Sequence, residues 1–573
     1  MHQPVSLSWP ALLQQFVSTN RFLTQRSLKR RLRRVLLAVI ATFLAVTLAN
    51  CGGTPPESET AAEGPVAPAN ALVFGSVGQP VNLRPGDVTD GNSLYVQQQI
   101  YNYLVGNIPG TTELAPELAT EWSASEDGLT WTFNLREGVV FHDDSNFNAE
   151  AVVFNVNRWW DPEFEFGYRD EGALYEIWTD LFGGFKGDEA STLVDVRAVD
   201  DLTVEFEIAE PFAAFPAAIS SSYFGIASPA AIQEAGASYG TPSGTAVGTG
   251  PFVFESWISG DRVTFSKFDS YWEEGLPAAE QLVFSFVEDP AARLAQLRAG
   301  TLDFTTDLTP DQITEIESDP NLEAVYRPSF NVGYLALNPS YEPLATKEVR
   351  QAIAQAINKP AIVDAFWGDL GETDGSFVPP SLEDYRGDVG DYEYNVEAAQ
   401  SAIAAAGYPE GFDLDMWYMP VSRPYFPNPK PIAEAFAAEL SQIGINVNLQ
   451  TKDWGAYLED RNTAPGFQSF MLGWTGDYGD PDNFLYAHFG PGATQDLGNY
   501  QNPELIDLLN QGRVKSEPAE RATLYKQADE LIFEEALRIP IVHSQPLLAK
   551  RTGIDGWTPS PFSSEAFTSV EKS

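Results

Sequence analysis

Apolar residues recur along the chain with two periods, and the period changes at glycines, prolines and asparagines. "ALVFGSVG" from Ala71 is a short apolar run ending in glycines and predicts a strand. "SLYVQQQIYNYLV" follows, with Leu94, Ile100 and Leu104 at helical spacing. "LTWTFNLREGVVFHD" alternates, which puts Trp131, Phe133 and Leu135 on one strand face before a turn at Glu137 and Gly138. "FNAEAVVFNVNRWWDP" predicts a helix with Asn148 as N-cap, stopped by Pro162. "EDPAARLAQLRAG" has Asp289 as N-cap, Pro290 at the first helical position and Gly300 just past the end. Thr309 and Gln312 have the spacing of a capping box.

The second half is richer in strand–helix–strand units. "NVGYLALN" predicts a strand, and "ATKEVRQAIAQAIN" a helix with Val349, Ile353 and Ile357 on one face. "DLDMWYM" predicts a strand that leaves into the proline-punctuated loop "PVSRPYFPNPKP". "IAEAFAAELSQIG" then places Ile432, Phe436, Leu440 and Ile443 on one helix face, and "INVNLQT" alternates as a strand. "GFQSFMLGW" is a further strand, running straight into "GWTGDYGDPDNF". Helices alternating with strands imply an α/β sheet. Ligands of open α/β sheets sit beyond the carboxyl ends of strands. The loops after "DLDMWYM" and "GFQSFMLGW" leave such ends, which makes Arg423 and Asp477 candidates for a site.

Length and the N-terminal segment refine this picture. A chain of 573 residues implies two or three lobes. Arg26, Lys29, Arg30, Arg31, Arg33 and Arg34 form a basic cluster ahead of the apolar run Val35 to Asn50, the pattern of an export signal over residues 1–50. Cys51 follows as the only cysteine, so no intramolecular disulfide is expected. Residues 51–70 are rich in Gly, Pro, Ser and Glu without apolar periodicity and read as a flexible tether. The formal net charge of −46 argues against nucleic acid and against an anionic membrane surface as partners.

Three chemistries compete for the acids Asp477, Asp480 and Asp482. A calcium loop needs oxygen ligands at its third, fifth and twelfth positions. Counting from Asp477, these are Gly479, Pro481 and His488. The four histidines are scattered, so neither a metal nor another cofactor is expected. For catalysis, the chain has no phosphate-cradling glycine loop with its lysine and no cysteine nucleophile. An enzyme using the acidic pair on sugars stays open as an alternative, while Asp480 and Asp482 are expected to make turn or cap hydrogen bonds. For binding, a guanidinium matches a carboxylate through two parallel hydrogen bonds, and a carboxylate pairs with an ammonium. Arg423 facing Asp477 would hold a zwitterion by both ends; a surface salt bridge is the alternative for Arg423.

Several segments carry a resemblance. "LANCGG" resembles a bacterial lipobox, which implies cleavage before Cys51 and lipid attachment there. "LAPELATEWSASEDGLTWTFNLREGVVFHD", "VGTGPFVFESW", "NVGYLALN", "MPVSRPYFPNPKPIAEAF", "DWGAYL" and "GWTGDYGDPDNF" resemble the family 5 extracellular solute-binding proteins of peptide ABC importers, most closely the dipeptide branch. The resemblance implies a two-lobe periplasmic-binding-protein fold of class II. The first lobe is then 71–286 with an inserted subdomain at about 113–241. The second is 287–540, and 541–573 returns to the first. It also implies that Arg423 binds a peptide's terminal carboxylate and Asp477 its α-ammonium, with Trp454, Trp474, Tyr425, Gly91 and Asn92 lining the pocket. Many relatives have Asn where this chain has Tyr478. The expected protein is an exported, lipid-anchored, non-enzymatic monomer that captures dipeptides for a membrane permease and its ATPase. Glutathione, longer peptides or another small solute are the alternatives on the same fold.

Overall fold

Strand pairing divides the chain between two large sheets. The computed structural model describes residues 71–573; the expected export signal, Cys51 and the expected tether lie outside them. Among the described residues no helix is long and apolar enough to cross a membrane.

The first sheet has seven strands in the order Leu322–Tyr326, Leu547–Arg551, Phe304–Leu308, Leu72–Ser76, Gln281–Phe286, Arg262–Lys267 and Phe252–Ile258. Leu72–Ser76 runs parallel to both of its neighbours. Its Phe74 packs against Phe284, Phe304 and Phe567, with ring centroids 4.9, 5.1 and 5.0 Å away. Phe567 comes from the C-terminal segment, so the chain end is part of this core.

This sheet corrects the expected lobe boundaries. Parallel strands need a crossover, usually a helix. Pro290–Ala299 is that crossover, capped by Asp289, whose side chain accepts from the Ala292 N–H at 2.7 Å. It returns the chain to Phe304–Leu308 in the same sheet, and Leu322–Tyr326 then pairs with Leu547–Arg551. The first lobe therefore continues past 286 to Tyr326, and the return to it begins after Ser544 rather than at 541. Leu104 also falls outside the helix Gly91–Ile100, which closes when the Tyr101 N–H bonds the Gln97 carbonyl in extended conformation.

A four-stranded antiparallel sheet spans Ala119–Ala124, Thr130–Leu135, Thr203–Ile208 and Leu193–Asp200, with its own core around Phe133, Phe206, Trp159 and Trp178. The helix Ala149–Trp160 belongs to this core, and Asn148 caps it by accepting from the Ala151 N–H at 3.0 Å.

The second large sheet orders six strands as Gly371–Glu372, Arg538–Ser544, Asn331–Leu337, Ser469–Thr475, Phe412–Trp417 and Ile445–Gln450. Asn331–Leu337 and Arg538–Ser544 are buried at every residue. Such strands read as continuous apolar runs because both of their faces are covered. The predicted helix face of Ile432, Phe436 and Leu440 is buried in this core, from the helix Pro429–Ser441.

Two neighbouring segments, 327–330 and 545–546, join the lobes. Asn331 ties their ends together: its amide donates to the Ser544 carbonyl at 2.8 Å, and its Oδ1 accepts from the Ser544 N–H at 3.1 Å. Below the crossing, Arg327 is buried and ion-paired to Glu565 at 2.7 Å.

Candidate functional site

Phe412–Trp417 and Ser469–Thr475 are parallel, with Trp417 opposite Phe470. Both carboxyl ends therefore point to one edge of the sheet. The first strand stops early, so its loop climbs alongside the last residues of the second. The Tyr425 ring lands on Gly473, and the Tyr425 backbone approaches Gly333, which pairs with Gly473 across the sheet. A Cβ at Gly473 would overlap that ring. Gly473→Ala is therefore expected to displace the loop and cost about 1–3 kcal/mol of stability, read by urea unfolding.

The loop presents Arg423 to solvent. Arg423 and Phe426 exchange backbone hydrogen bonds of 3.1 and 2.9 Å. The guanidinium donates to the Ser422 carbonyl at 3.1 Å and lies 5.4 Å from the centre of the Trp454 ring. It thus engages a backbone oxygen and an aromatic face, and among the described residues its fork pairs with no carboxylate. Trp454 opens the helix Trp454–Asn462 and stacks on Tyr457 at 5.7 Å.

Asp477 is held from two sides. Its Oδ1 accepts from the Tyr223 hydroxyl, across from the first lobe, at 2.7 Å. Its Oδ2 accepts from the Asn483 amide at 3.1 Å. Oδ1 of the same Asn483 accepts from the Asp477 N–H at 2.8 Å and from the Trp474 indole at 3.0 Å. Asn483 thus fixes the acid, its backbone and Trp474 together. Burial raises the Asp477 carboxyl above the usual carboxylate range, against the opposing pull of the Tyr223 and Asn483 hydrogen bonds. Asp477 is also the second lobe's contribution to the wall of a cavity of about 490 Å³, lined otherwise by first-lobe residues.

The other two acids do different work. Asp480 takes both guanidinium nitrogens of Arg521, at 2.7 and 2.8 Å, and also accepts from the Asp482 N–H at 3.0 Å. It is an ion-pair anchor as well as a turn former. Asp482 starts the helix Asp482–Phe489 and accepts from the Tyr478 hydroxyl at 3.0 Å. Tyr478 itself is buried, packed into the core of the first lobe's four-stranded sheet. Neighbouring Gly479 lies so close to Thr112 that a Cβ would meet its backbone oxygen. The Asp477 loop is thus seated against the first lobe.

Of the sequence-predicted residues, the structure gathers Asp477 with Trp474, and Arg423 with Trp454. Tyr425 lies on Gly473 between the two groups. Gly91 and Asn92 stand apart at the start of the helix Gly91–Ile100, where Asp90 caps the Ser93 N–H at 2.9 Å and Asn92 faces Gly78. Sequence reading missed Tyr223 and Asn483. Asn483 lay within the quoted "GWTGDYGDPDNF", six positions from Asp477. Tyr223 is 254 positions away, and only the fold brings it near. Among the described residues, no group of three or more His, Cys, Asp or Glu is arranged to hold a metal ion.

Residues 113–496 match the model of the bacterial extracellular solute-binding proteins, family 5. The chain is 34% identical over 516 residues to the dipeptide-binding protein of Escherichia coli, covering 88% of this chain and 94% of that one. It is 32% identical over 549 residues to heme-binding protein A of Haemophilus influenzae, covering 94% and 98%. Among solved structures it is similar to a dipeptide-binding protein from a Pseudoalteromonas species in complex with Met-Leu. There the TM-score is 0.72 at 27% identity, covering 88% of this chain and 100% of that one.

Proposed function

This chain belongs to family 5 of the bacterial extracellular solute-binding proteins, and from that premise we propose that it captures dipeptides by their charged termini for an ABC importer. Its class is that of an exported, non-enzymatic peptide-binding component of such an importer. What supports the finer reading is that an acid and an arginine lie on two loops leaving the same edge of the sheet. Asp477 is oriented by Tyr223 and Asn483. Arg423 is held over Trp454, and among the described residues its fork pairs with no carboxylate. The names of the relatives, a dipeptide-binding protein and a Met-Leu complex among them, support the same ligand class.

Taking two charges out of water is costly unless each is paired and hydrogen-bonded. A site that pairs both termini therefore measures peptide length, and a tripeptide would misplace its carboxylate. Asp480 and Asp482, which a glycosidase would need, are occupied by Arg521 and Tyr478. The reading extends to the N-terminus: Cys51 is the lipid anchor that keeps the protein near its permease, and the protein acts as a monomer.

Closure on a ligand raises apparent stability in proportion to the logarithm of ligand excess. A thermal-shift screen should raise the Tm with dipeptides and much less with tripeptides or glutathione. A larger shift with glutathione or longer peptides would reassign the ligand within the family. Titration of Asp477 gives a pH dependence. The ammonium pairs with the ionised acid, whose pKa burial raises. Affinity is therefore highest above that elevated pKa and falls as the pH drops through it. Asp477→Asn should flatten the profile, measured by calorimetry in matched buffers.

A further inference from the structure

The cavity beside Asp477 carries more acid than the two-terminus reading uses. Glu117, Glu273 and Glu565 line it together with Asp477. Glu565 is neutralised by Arg327 at 2.7 Å. Glu117 is held by the neutral amide of Asn102, at 2.7 Å from its Oε1. Arg136, whose charge acts on both Glu117 and Glu273, donates to the Glu117 backbone carbonyl at 2.9 Å and lies over the Trp272 ring at 4.2 Å, with no hydrogen bond to either carboxylate. Two serines of the cavity lining, Ser221 and Ser564, are 2% and 4% exposed, and their buried hydroxyls have no hydrogen-bond partner among the described residues. Buried polar groups are normally satisfied, and these two line a chamber with room for a side chain.

We propose that this cavity is a subsite for a cationic side chain, lysine or arginine at the first position of the bound peptide, with Glu117 and Glu273 as its specificity-determining residues. The inference rests on the dipeptide reading. With the α-ammonium on Asp477, the first side chain is the one that can enter a cavity having Asp477 in its wall. A lysine ammonium carries three donors and an arginine fork five, enough to engage more than one carboxylate. Burial pushes the Glu117 carboxyl up to about 7, against the opposing pull of the Asn102 and Tyr103 hydrogen bonds and of the Arg136 charge.

Calorimetry with Lys-Ala, norleucyl-Ala and Ala-Ala tests this, since norleucine matches the lysine stem without its charge. Lys-Ala should bind at least about tenfold more tightly than norleucyl-Ala. Glu117→Gln combined with Glu273→Gln should bring that ratio close to one. The ratio is internal to each protein, so a variant that still binds norleucyl-Ala reports on charge rather than folding. Equal or weaker binding of Lys-Ala by the unmodified protein, with Ala-Ala still bound, overturns the subsite and leaves the terminal clamp standing. A preference for Lys-Ala that survives both substitutions overturns the assignment to these glutamates. If none of the three peptides binds, the dipeptide reading fails, and the subsite with it.

Discussion

Asp477→Ala weakens dipeptide binding by about two orders of magnitude or more, with a modest effect on the ligand-free fold. The acid offers the bound ammonium a carboxylate already oriented by Tyr223 from one lobe and Asn483 from the other. Removing it leaves the buried ammonium without a counter-charge, and truncating one partner of such a pair costs about 2–5 kcal/mol. In the absence of ligand the balance differs. The Tyr223 hydroxyl and the Asn483 amide lose an acceptor, at about 1–3 kcal/mol for each group left unpaired. Part of this is offset, because the ionised acid is itself disfavoured by burial. Calorimetry and urea unfolding on the same variant separate the two effects. A variant that unfolds early yet binds normally would reverse the assignment.

Asp480→Ala gives the opposite result: a loss of about 3–5 kcal/mol of stability, the cost of stranding one member of a buried ion pair. Asp480 and Arg521 are nearly inaccessible and joined by two hydrogen bonds. Arg521 also donates to the Gly512 carbonyl at 3.0 Å, which ties the helix Pro518–Glu535 to the helix before it. Asp480 therefore connects the binding loop to a helical pair behind the sheet. Removing both charges together, as Asp480→Ala with Arg521→Leu, should recover part of the loss, because no isolated buried charge remains. Urea midpoints of the single and double variants check this; an additive loss in the double variant would mean that the two side chains act independently.

Three acids within six residues thus have separate fates, and the sequence alone ranked only one of them. Local rules carried far where the determinants were local. Asn148 and Asp289 cap the helices their spacing predicted, and the Thr309 N–H bonds the Gln312 side chain at 2.9 Å as a capping box requires. The shared carboxyl edge of the strands before Arg423 and Asp477 was legible because periodicity identifies parallel α/β units. The lobe boundary was not. The helix Pro290–Ala299 has the same local signals whether it begins a second lobe or crosses back within the first, and only strand pairing decides. Tyr223 was invisible for the same reason, since its partnership with Asp477 depends on how two lobes meet. Arg521 lies in the long, charge-rich helix Pro518–Glu535, where an arginine more often faces water.

Recognition of both peptide termini by charge is tested most directly with capped peptides. Calorimetry should show Ala-Ala binding, while N-acetyl-Ala-Ala and Ala-Ala-amide each bind more weakly by about two orders of magnitude. The N-acetyl loss should shrink in Asp477→Ala and the amide loss in Arg423→Ala. Equal affinity for free and capped peptides would contradict the two-ended clamp and move the site away from Asp477 and Arg423.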